Sequence, residues 1–261
     1  MLHDTSECSK VKIEAIFSDY DGTLSPLEVS REETSIPASL FSLLKKVSSR
    51  IPLAVITTKD LRFVKEKVPF ASATATICGL ELQTRNTRFL DQRALKKTAI
   101  VDKAYNESLR IAKMLDNLII ERKISSDGDL FAFCVDWRMS RNWMNAQRII
   151  SPFLYRCREL GLYVVESDAN PFADVYPIKV DKGTALARVK NELGLNGPIM
   201  YLGDSEFDNP AFKLADISIG IVHKEMNPNL LSRYQMEFSK LETFFSRLLT
   251  ANFDFRTSML S

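Results

Sequence analysis

Short apolar runs that stop at polar, turn-forming residues recur at 11–18, 53–57, 74–82, 199–203 and 217–222. Such runs lack the alternation of half-exposed strands and match strands buried on both faces of a sheet. Segments of helical period separate them. Residues 37–49 open on Pro37, a favoured early helical residue, and place Leu40, Leu43, Leu44 and Val47 on one face. Residues 181–193 begin with Asp181 as a cap, carry a stripe of Ala185, Leu186, Val189 and Leu193, and meet Gly194 as a stop. Strands alternating with helices predict an α/β fold, a parallel sheet with helices on both sides.

The rhythm breaks between about Thr84 and Phe172. Polar stretches at 83–88 and 167–171 bound this region. Inside lie a long helical pattern at 98–122, a strand-like run at 130–137, a second helical pattern at 142–160 and a strand at 162–165. These elements suffice for a small α+β module. The expected organisation is a core of 1–83 and 173–261 interrupted by an inserted domain at 84–172.

Composition narrows the function. Of 261 residues, 35 are basic and 33 acidic, and a net charge of +2 gives no reason to expect a nucleic-acid partner. No apolar run approaches the roughly 18–20 residues of a membrane-spanning helix, and 1–10 is too polar for a secretion signal. Cys8, Cys78, Cys134 and Cys157 are scattered without metal-binding spacing, so they read as thiols in a reducing compartment. A soluble cytoplasmic protein is expected. Only His3 and His223 are present, too few for a histidine-rich zinc site, and a Ser-His-Asp triad is hard to build from them. Chemistry here must lean on carboxylates, lysine and a hard metal.

The strongest local feature is Asp19-Tyr20-Asp21-Gly22-Thr23 at the end of an apolar strand. Residues i and i+2 of a strand point the same way, so the two carboxylates can converge. Gly22 lets the chain turn beyond them. Paired carboxylates favour a bound cation or a shared proton, and both serve phosphoryl transfer. Asp19 can attack phosphorus, while Asp21 protonates the departing oxygen and later takes a proton from water. A capped turn explains the same residues alone. A calcium loop does not, because it needs glycine at its sixth position.

Support comes late in the chain. A second apolar strand ends in Gly203-Asp204-Ser205-Glu206-Phe207-Asp208. If it lies beside the first, Asp204 reaches the same mouth, and an all-oxygen site suits Mg²⁺. Asp208 can orient a ligand or a lysine, or cap the helix that follows. Lys182 opens a helix, where a lysine opposes the dipole unless an anion is close; Lys179 is its rival. Thr57 ends the run at 53–57 and can hydrogen-bond a phosphate oxygen. A helix cap is the competing reading, stronger for Thr58 than for Thr57.

In combination, Asp19-Tyr20-Asp21-Gly22-Thr23, Thr57, Lys182 and Gly203-Asp204…Asp208 resemble the four signatures of the haloacid dehalogenase superfamily. The resemblance covers about 11–82 and 174–222. It implies a Rossmann-like core, an aspartyl-phosphate intermediate, Mg²⁺ and an inserted α/β cap. By that match Asp19 is nucleophile and metal ligand, Asp21 acid/base and ligand, and Asp204 a ligand with Asp208 beside it. Thr57 and Lys182 hold the phosphoryl group. A closer likeness is to trehalose-6-phosphate phosphatases, through Asp19 to Pro26, Val180 to Leu186 and Gly203 to Phe212. Where that family carries His-Gly-x-Glu this chain has Cys78-Gly79-Leu80-Glu81, and Asp136-Trp137-Arg138 replaces His-Tyr-Arg. Glu81 and Arg138 are expected substrate contacts. The expected partner is a small phosphorylated metabolite, hydrolysed with water as acceptor. A phosphotransferase or mutase, or a protein that binds a phosphosugar without turning it over, are the alternatives.

Overall fold

The computed structural model describes residues 10–27, 31, 33–166 and 171–261. His3, Cys8 and most of the polar edge at 167–171 lie outside them. Along the chain the main elements are β1 (Ala15–Ser18), α1 (Ala38–Ser48), β2 (Leu53–Ile56), α2 (Leu61–Lys67), β3 (Ala73–Thr76), β4 (Glu81–Thr84) and β5 (Arg88–Leu90). There follow α3 (Thr98–Ala112), β6 (Ile119–Ile124), β7 (Leu130–Asp136), α4 (Trp143–Glu159), β8 (Tyr163–Glu166) and β9 (Phe172–Tyr176). The chain then forms α5 (Lys182–Glu192), β10 (Ile199–Gly203), β11 (Ile217–Val222), β12 (Tyr234–Glu237) and α6 (Leu241–Thr250).

The larger sheet runs β12-β11-β10-β1-β2-β3-β4-β5, parallel from β12 through β3 and antiparallel beyond. Pleat alternation divides β1 between two cores: Ile16 faces Leu40 and Leu44 of α1 and Phe244 of α6, whereas Ala15 and Phe17 face Ala185 and Val189 of α5. Helices therefore cover both faces, as parallel sheets require. From β1 the chain steps to β2 on one side, and β10 lies on the other. This is a topological switch, and the crevice beyond the strand ends there is where α/β folds place ligands.

The smaller sheet runs β6-β7-β9-β8, antiparallel throughout, with α3 and α4 packed on it around Phe133, Ile150 and Phe153. Sheet membership shifts the expected boundaries. β5 belongs to the larger sheet and β9 to the smaller, so the crossings fall after Leu90 and after Tyr176.

Two expected elements are divided. The run 74–82 is β3 and β4 joined at Ile77–Gly79, where φ is 49°, 53° and 87° at Ile77, Cys78 and Gly79. Left-handed backbone reverses the strand, and Gly79 lacks the Cβ that would press on Ala185 of α5. The helical pattern 98–122 stops at Ala112, and Asn117 at φ 56° turns the chain into β6. Branched Ile119 and Ile120 then suit a strand.

Candidate active site

β1 and β10 deliver their residues to one edge because they are parallel and in register, Ser18 beside Leu202. The Asp19 amide donates to Leu202 O at 2.9 Å and continues the ladder one residue past the strand. Beyond it the Tyr20 carbonyl accepts the amides of Thr23, Leu24 and Ser25 at 3.3, 2.9 and 3.1 Å. Gly22 sits at φ +69°, and a Cβ there would overlap the Asp204 carboxylate. Thr23 Oγ1 donates to Asp204 Oδ1 at 3.3 Å. The Asp19–Ser25 loop is thus moulded onto Asp204. The strand ends at Ser18, so Asp19 and Asp21 are placed by this turn rather than by the pleat. Their environments differ: Asp19 is 6% exposed, whereas the Asp21 side chain is 41% exposed.

Lys182, the first residue of α5, is the lysine at the mouth. Its Nζ lies 2.7 Å from Asp19 Oδ2 and 2.8 Å from Asp208 Oδ1, with 2% exposure. Lys179 is exposed instead. Asp181 caps the helix by accepting from Thr184 N at 2.7 Å. Gly183 matters for a close approach, since a Cβ would sit 2.6 Å from the Pro210 carbonyl oxygen. That approach brings the Asp208 segment against α5.

Asp208 is fully buried with both oxygens engaged. Oδ1 accepts from Lys182 Nζ and from Tyr201 OH at 2.6 Å. Oδ2 accepts from Asp204 N, Ser205 N and Ser205 Oγ at 3.2, 3.1 and 3.1 Å. Its capping is real but local, closing a box with Ser205. Five donors thus engage its two oxygens, and one of these oxygens also lies in the group of three carboxylates that could hold a metal ion. Asp208 orients the lysine and the backbone around Asp204.

Asp19, Asp204 and Asp208 each offer an oxygen within 4.8 Å of the others. Burial pushes the Asp19 carboxyl up to about 7, against the pull of Lys182. Asp204 is raised well above the carboxylate range by burial, then by Asp208 and Asp19. Lys182 is raised despite burial, because Asp19 and Asp208 outweigh it. Three carboxylates around one ammonium leave excess negative charge, and the donors are all oxygen. That set fits a hard cation such as Mg²⁺.

Thr57, at the end of β2, is buried. Its Oγ1 accepts from Lys59 N at 3.2 Å and keeps its own proton for donation. Neither threonine caps α2: Asp60 does, accepting from Phe63 N at 3.0 Å. Glu81 is also buried, and both its oxygens accept from the Ser126 amide, at 3.2 Å each. It ties β4 to the β6–β7 turn, between the two sheets. Arg138 pairs with Asp136, Nε at 3.0 Å and Nη2 at 2.6 Å, and lies 5.5 Å over the Phe172 ring. The hydrogen bond to Asp136, with smaller help from the charge of Asp21, raises the pKa of its guanidinium.

Sequence reading missed a network of paired groups here. Lys59 Nζ lies 3.6 Å from Asp21 Oδ2 and 3.5 Å from Glu121 Oε2, while Glu121 also accepts from Arg31. Lys123 forms a buried pair with Asp174 at 2.5 Å, and Tyr176 OH donates to Asp174 Oδ2 at 3.1 Å. Glu121 and Lys123 belong to the consecutive charged run Glu121-Arg122-Lys123, hidden inside an apparent helix. Among the described residues, Cys78, Cys134 and Cys157 are free thiols, and no helix is long and apolar enough to cross a membrane.

No protein-family model matches the chain. Among curated proteins, it is 24% identical over 270 residues to probable trehalose-phosphate phosphatase D of Arabidopsis thaliana, covering 95% of this chain and 70% of that protein. It is 26% identical over 211 residues to phosphoglycolate phosphatase 2 of Saccharolobus solfataricus, covering 80% and 79%. A solved trehalose-6-phosphate phosphatase related protein superposes with a TM-score of 0.75 at 18% identity, over 91% of this chain and 97% of the other. A haloacid dehalogenase-like hydrolase from Bacteroides thetaiotaomicron gives 0.64 at 12% identity, over 91% and 100%. The solved structures share the fold, and the curated relatives extend across most of the chain, including the mouth just described. These likenesses support a phosphatase of the haloacid dehalogenase superfamily, similar to the trehalose-phosphate phosphatases.

Proposed function

We propose that the protein hydrolyses the phosphate monoester of a small sugar or related polyol, with Asp19 as the phosphoryl acceptor and Mg²⁺ as cofactor. The observation that carries this reading is the Asp19 carboxylate, buried at the switch-point crevice with Oδ2 held by Lys182 at 2.7 Å. Oδ1 is left to approach phosphorus. Lys182 and the Thr57 hydroxyl bind the non-bridging phosphoryl oxygens as charge redistributes over them. Asp21, more exposed and flanked by Lys59, gives its proton to the departing sugar oxygen. The Asp19 acyl phosphate forms as the ester bond to the sugar breaks. Asp21, now ionised, takes a proton from the water that attacks the phosphorus of this anhydride, so Asp19 and inorganic phosphate are released and Asp21 is protonated again.

Asp19, Asp204 and the Asp21 carbonyl would hold Mg²⁺, which when bound supplies the positive charge that lets an anionic nucleophile meet an anionic phosphate. Asp208 serves that set indirectly, by fixing Lys182 and the Asp204 amide.

The cations bordering the mouth favour a neutral, hydroxyl-rich leaving group. Lys123 is paired with Asp174, Arg138 with Asp136, Arg31 with Asp60 and Glu121, and Lys59 with Asp21 and Glu121. A short acid such as phosphoglycolate needs a spare cation for its carboxylate. Hydroxyls can instead donate to and accept from paired groups. Trehalose 6-phosphate belongs to the favoured class.

The test is phosphate release from a panel containing trehalose 6-phosphate, other sugar phosphates and phosphoglycolate, with Mg²⁺ or a chelator. Expected is turnover of sugar phosphates that stops with chelator and falls roughly 10⁴-fold or more in Asp19→Asn. Robust turnover by that variant would remove Asp19 as acceptor. A requirement for a bisphosphate activator would redirect the reading to phosphoryl transfer between hydroxyls.

A further inference from the structure

His223 follows β11 at the edge of the sheet that carries Asp19 and Asp204, and none of the steps above uses it. Its Nε2 lies 2.7 Å from the carbonyl oxygen of Gly22. A carbonyl only accepts, so the imidazole carries its proton on Nε2 and donates. The ring is held in place by stacking on Phe238, with centroids 5.0 Å apart and planes 21° from parallel. Gly22 is the residue of the Asp19–Ser25 loop with no room for a side chain, because the Asp204 carboxylate occupies that space.

The loop is pinned at two carbonyls. Tyr20 O gathers three amides of its own turn. Gly22 O, among the described residues, is bonded from outside the loop by His223. Between these two lies Asp21, whose carbonyl is proposed above as a metal donor, and against them lies Asp204. The second pin comes from β11, a strand that is hydrogen-bonded to β10 and so is fixed relative to Asp204 itself. Releasing it frees the peptide next to Asp21 to rotate while the side chains of Asp19 and Asp204 stay in place.

We propose that His223 is a positioning residue for the cation site: its bond to Gly22 O sets the orientation of the Asp21–Gly22 backbone against Asp204. The proposal rests on the Mg²⁺ reading of the mouth. Outer partners of this kind typically change metal affinity by about 10- to 100-fold when removed. An indirect, single-bond partner belongs at the lower end of that range.

The experiment is calorimetric titration of Mg²⁺ into the intact protein and two variants, with kinetics at limiting and saturating Mg²⁺. His223→Phe keeps a ring to stack on Phe238 and removes the donor; His223→Gln keeps an N–H donor at similar reach. Expected is a Mg²⁺ dissociation constant raised about 10-fold in His223→Phe and largely restored in His223→Gln. At saturating Mg²⁺ the kcat and substrate KM should return near the unsubstituted values, which a general loss of structure would not allow. If His223→Phe does not fold, His223→Asn, whose shorter amide falls short of the carbonyl, takes its place. Equal Mg²⁺ affinity in all variants overturns the proposal, as does an equal loss in the Phe and Gln variants. Those results leave the hydrolytic reading intact when the unsubstituted protein binds Mg²⁺ and releases phosphate. Failure of the unsubstituted protein to bind Mg²⁺ overturns the metal reading and this inference together.

Discussion

The two sheets each bury a lysine, and the pair of sites makes an instructive contrast. Lys182 in the larger unit and Lys123 in the smaller are 2% and 3% exposed, and carboxylates within 2.8 Å keep both charged. Lys182 is shared between Asp19 and Asp208, with Asp204 crowding the same space. Lys123 has Asp174 to itself, and the remaining oxygen of Asp174 takes the Tyr176 hydroxyl. Glu121, its acidic neighbour, is already answered by Arg31 and Lys59. One cluster is short of positive charge and the other is balanced. Imbalance at a crevice invites a cation and an electrophile; balance gives a self-contained buried pair that walls the smaller sheet.

The sharpest way to break the contrast is to remove the first lysine. Lys182→Ala should lower kcat/KM for sugar phosphates by at least roughly 10³-fold, since an oriented donor to the transferring group is lost along with the partner of Asp19. Lys179→Ala should leave kcat/KM unchanged. Steady-state kinetics at saturating Mg²⁺ decides the matter, and a Lys182→Ala enzyme of near-normal activity would make the two lysines equivalent after all.

A second change asks whether the balanced cluster is mainly structural. Lys123→Met strands Asp174 in the interior, and breaking a buried pair from one side costs about 3–5 kcal/mol. Replacing both members, with Asp174→Leu added, should recover most of that loss. Thermal and urea unfolding followed on both variants report it. If the double replacement stays as destabilised as the single one, the pair is held by more than its own charges, and the wall is less self-contained than its geometry implies.

How much of this was legible beforehand depended on distance along the chain. Asp19, Lys182 and Asp204 each stand at the end of an apolar strand or the start of a capped helix, so local pattern located them. Their convergence then needed only the assumption of neighbouring parallel strands. The α2 cap was ambiguous because Thr57, Thr58 and Asp60 are all capping residues, and only the structure shows the Phe63 amide donating to Asp60. β6 was absorbed into a helix because the left-handed Asn117 leaves no mark on hydrophobic periodicity. With that strand went Glu121 and Lys123. Lys59 was invisible for another reason: its meaning lies in contacts to Asp21 and Glu121, far apart in sequence. Glu81 was legible as a motif position, but its bond to the Ser126 amide, 45 residues on, was not.

The smallest expected effect concerns the rim between the two clusters. Arg138 and Asp136 form a forked pair whose side chains are 50% and 13% exposed, and pairs with one solvated member contribute less than about 1 kcal/mol to folding. Arg138→Ala should therefore barely move the unfolding temperature. The guanidinium nevertheless lies over Phe172, whose ring is 6.2 Å from that of Phe207 in the larger unit, and it feels the charge of Asp21. Arg138 is also the substrate contact expected from the sequence. Losing one charge-assisted hydrogen bond to a sugar hydroxyl there would raise KM by about tenfold with kcat nearly unchanged, the signature of binding shared by ground and transition states. Steady-state kinetics on a sugar phosphate and on a small aryl phosphate separates the cases. If KM rises only for the sugar, the rim reads the leaving group; if it rises for neither, Arg138 is a surface pair without a part in recognition.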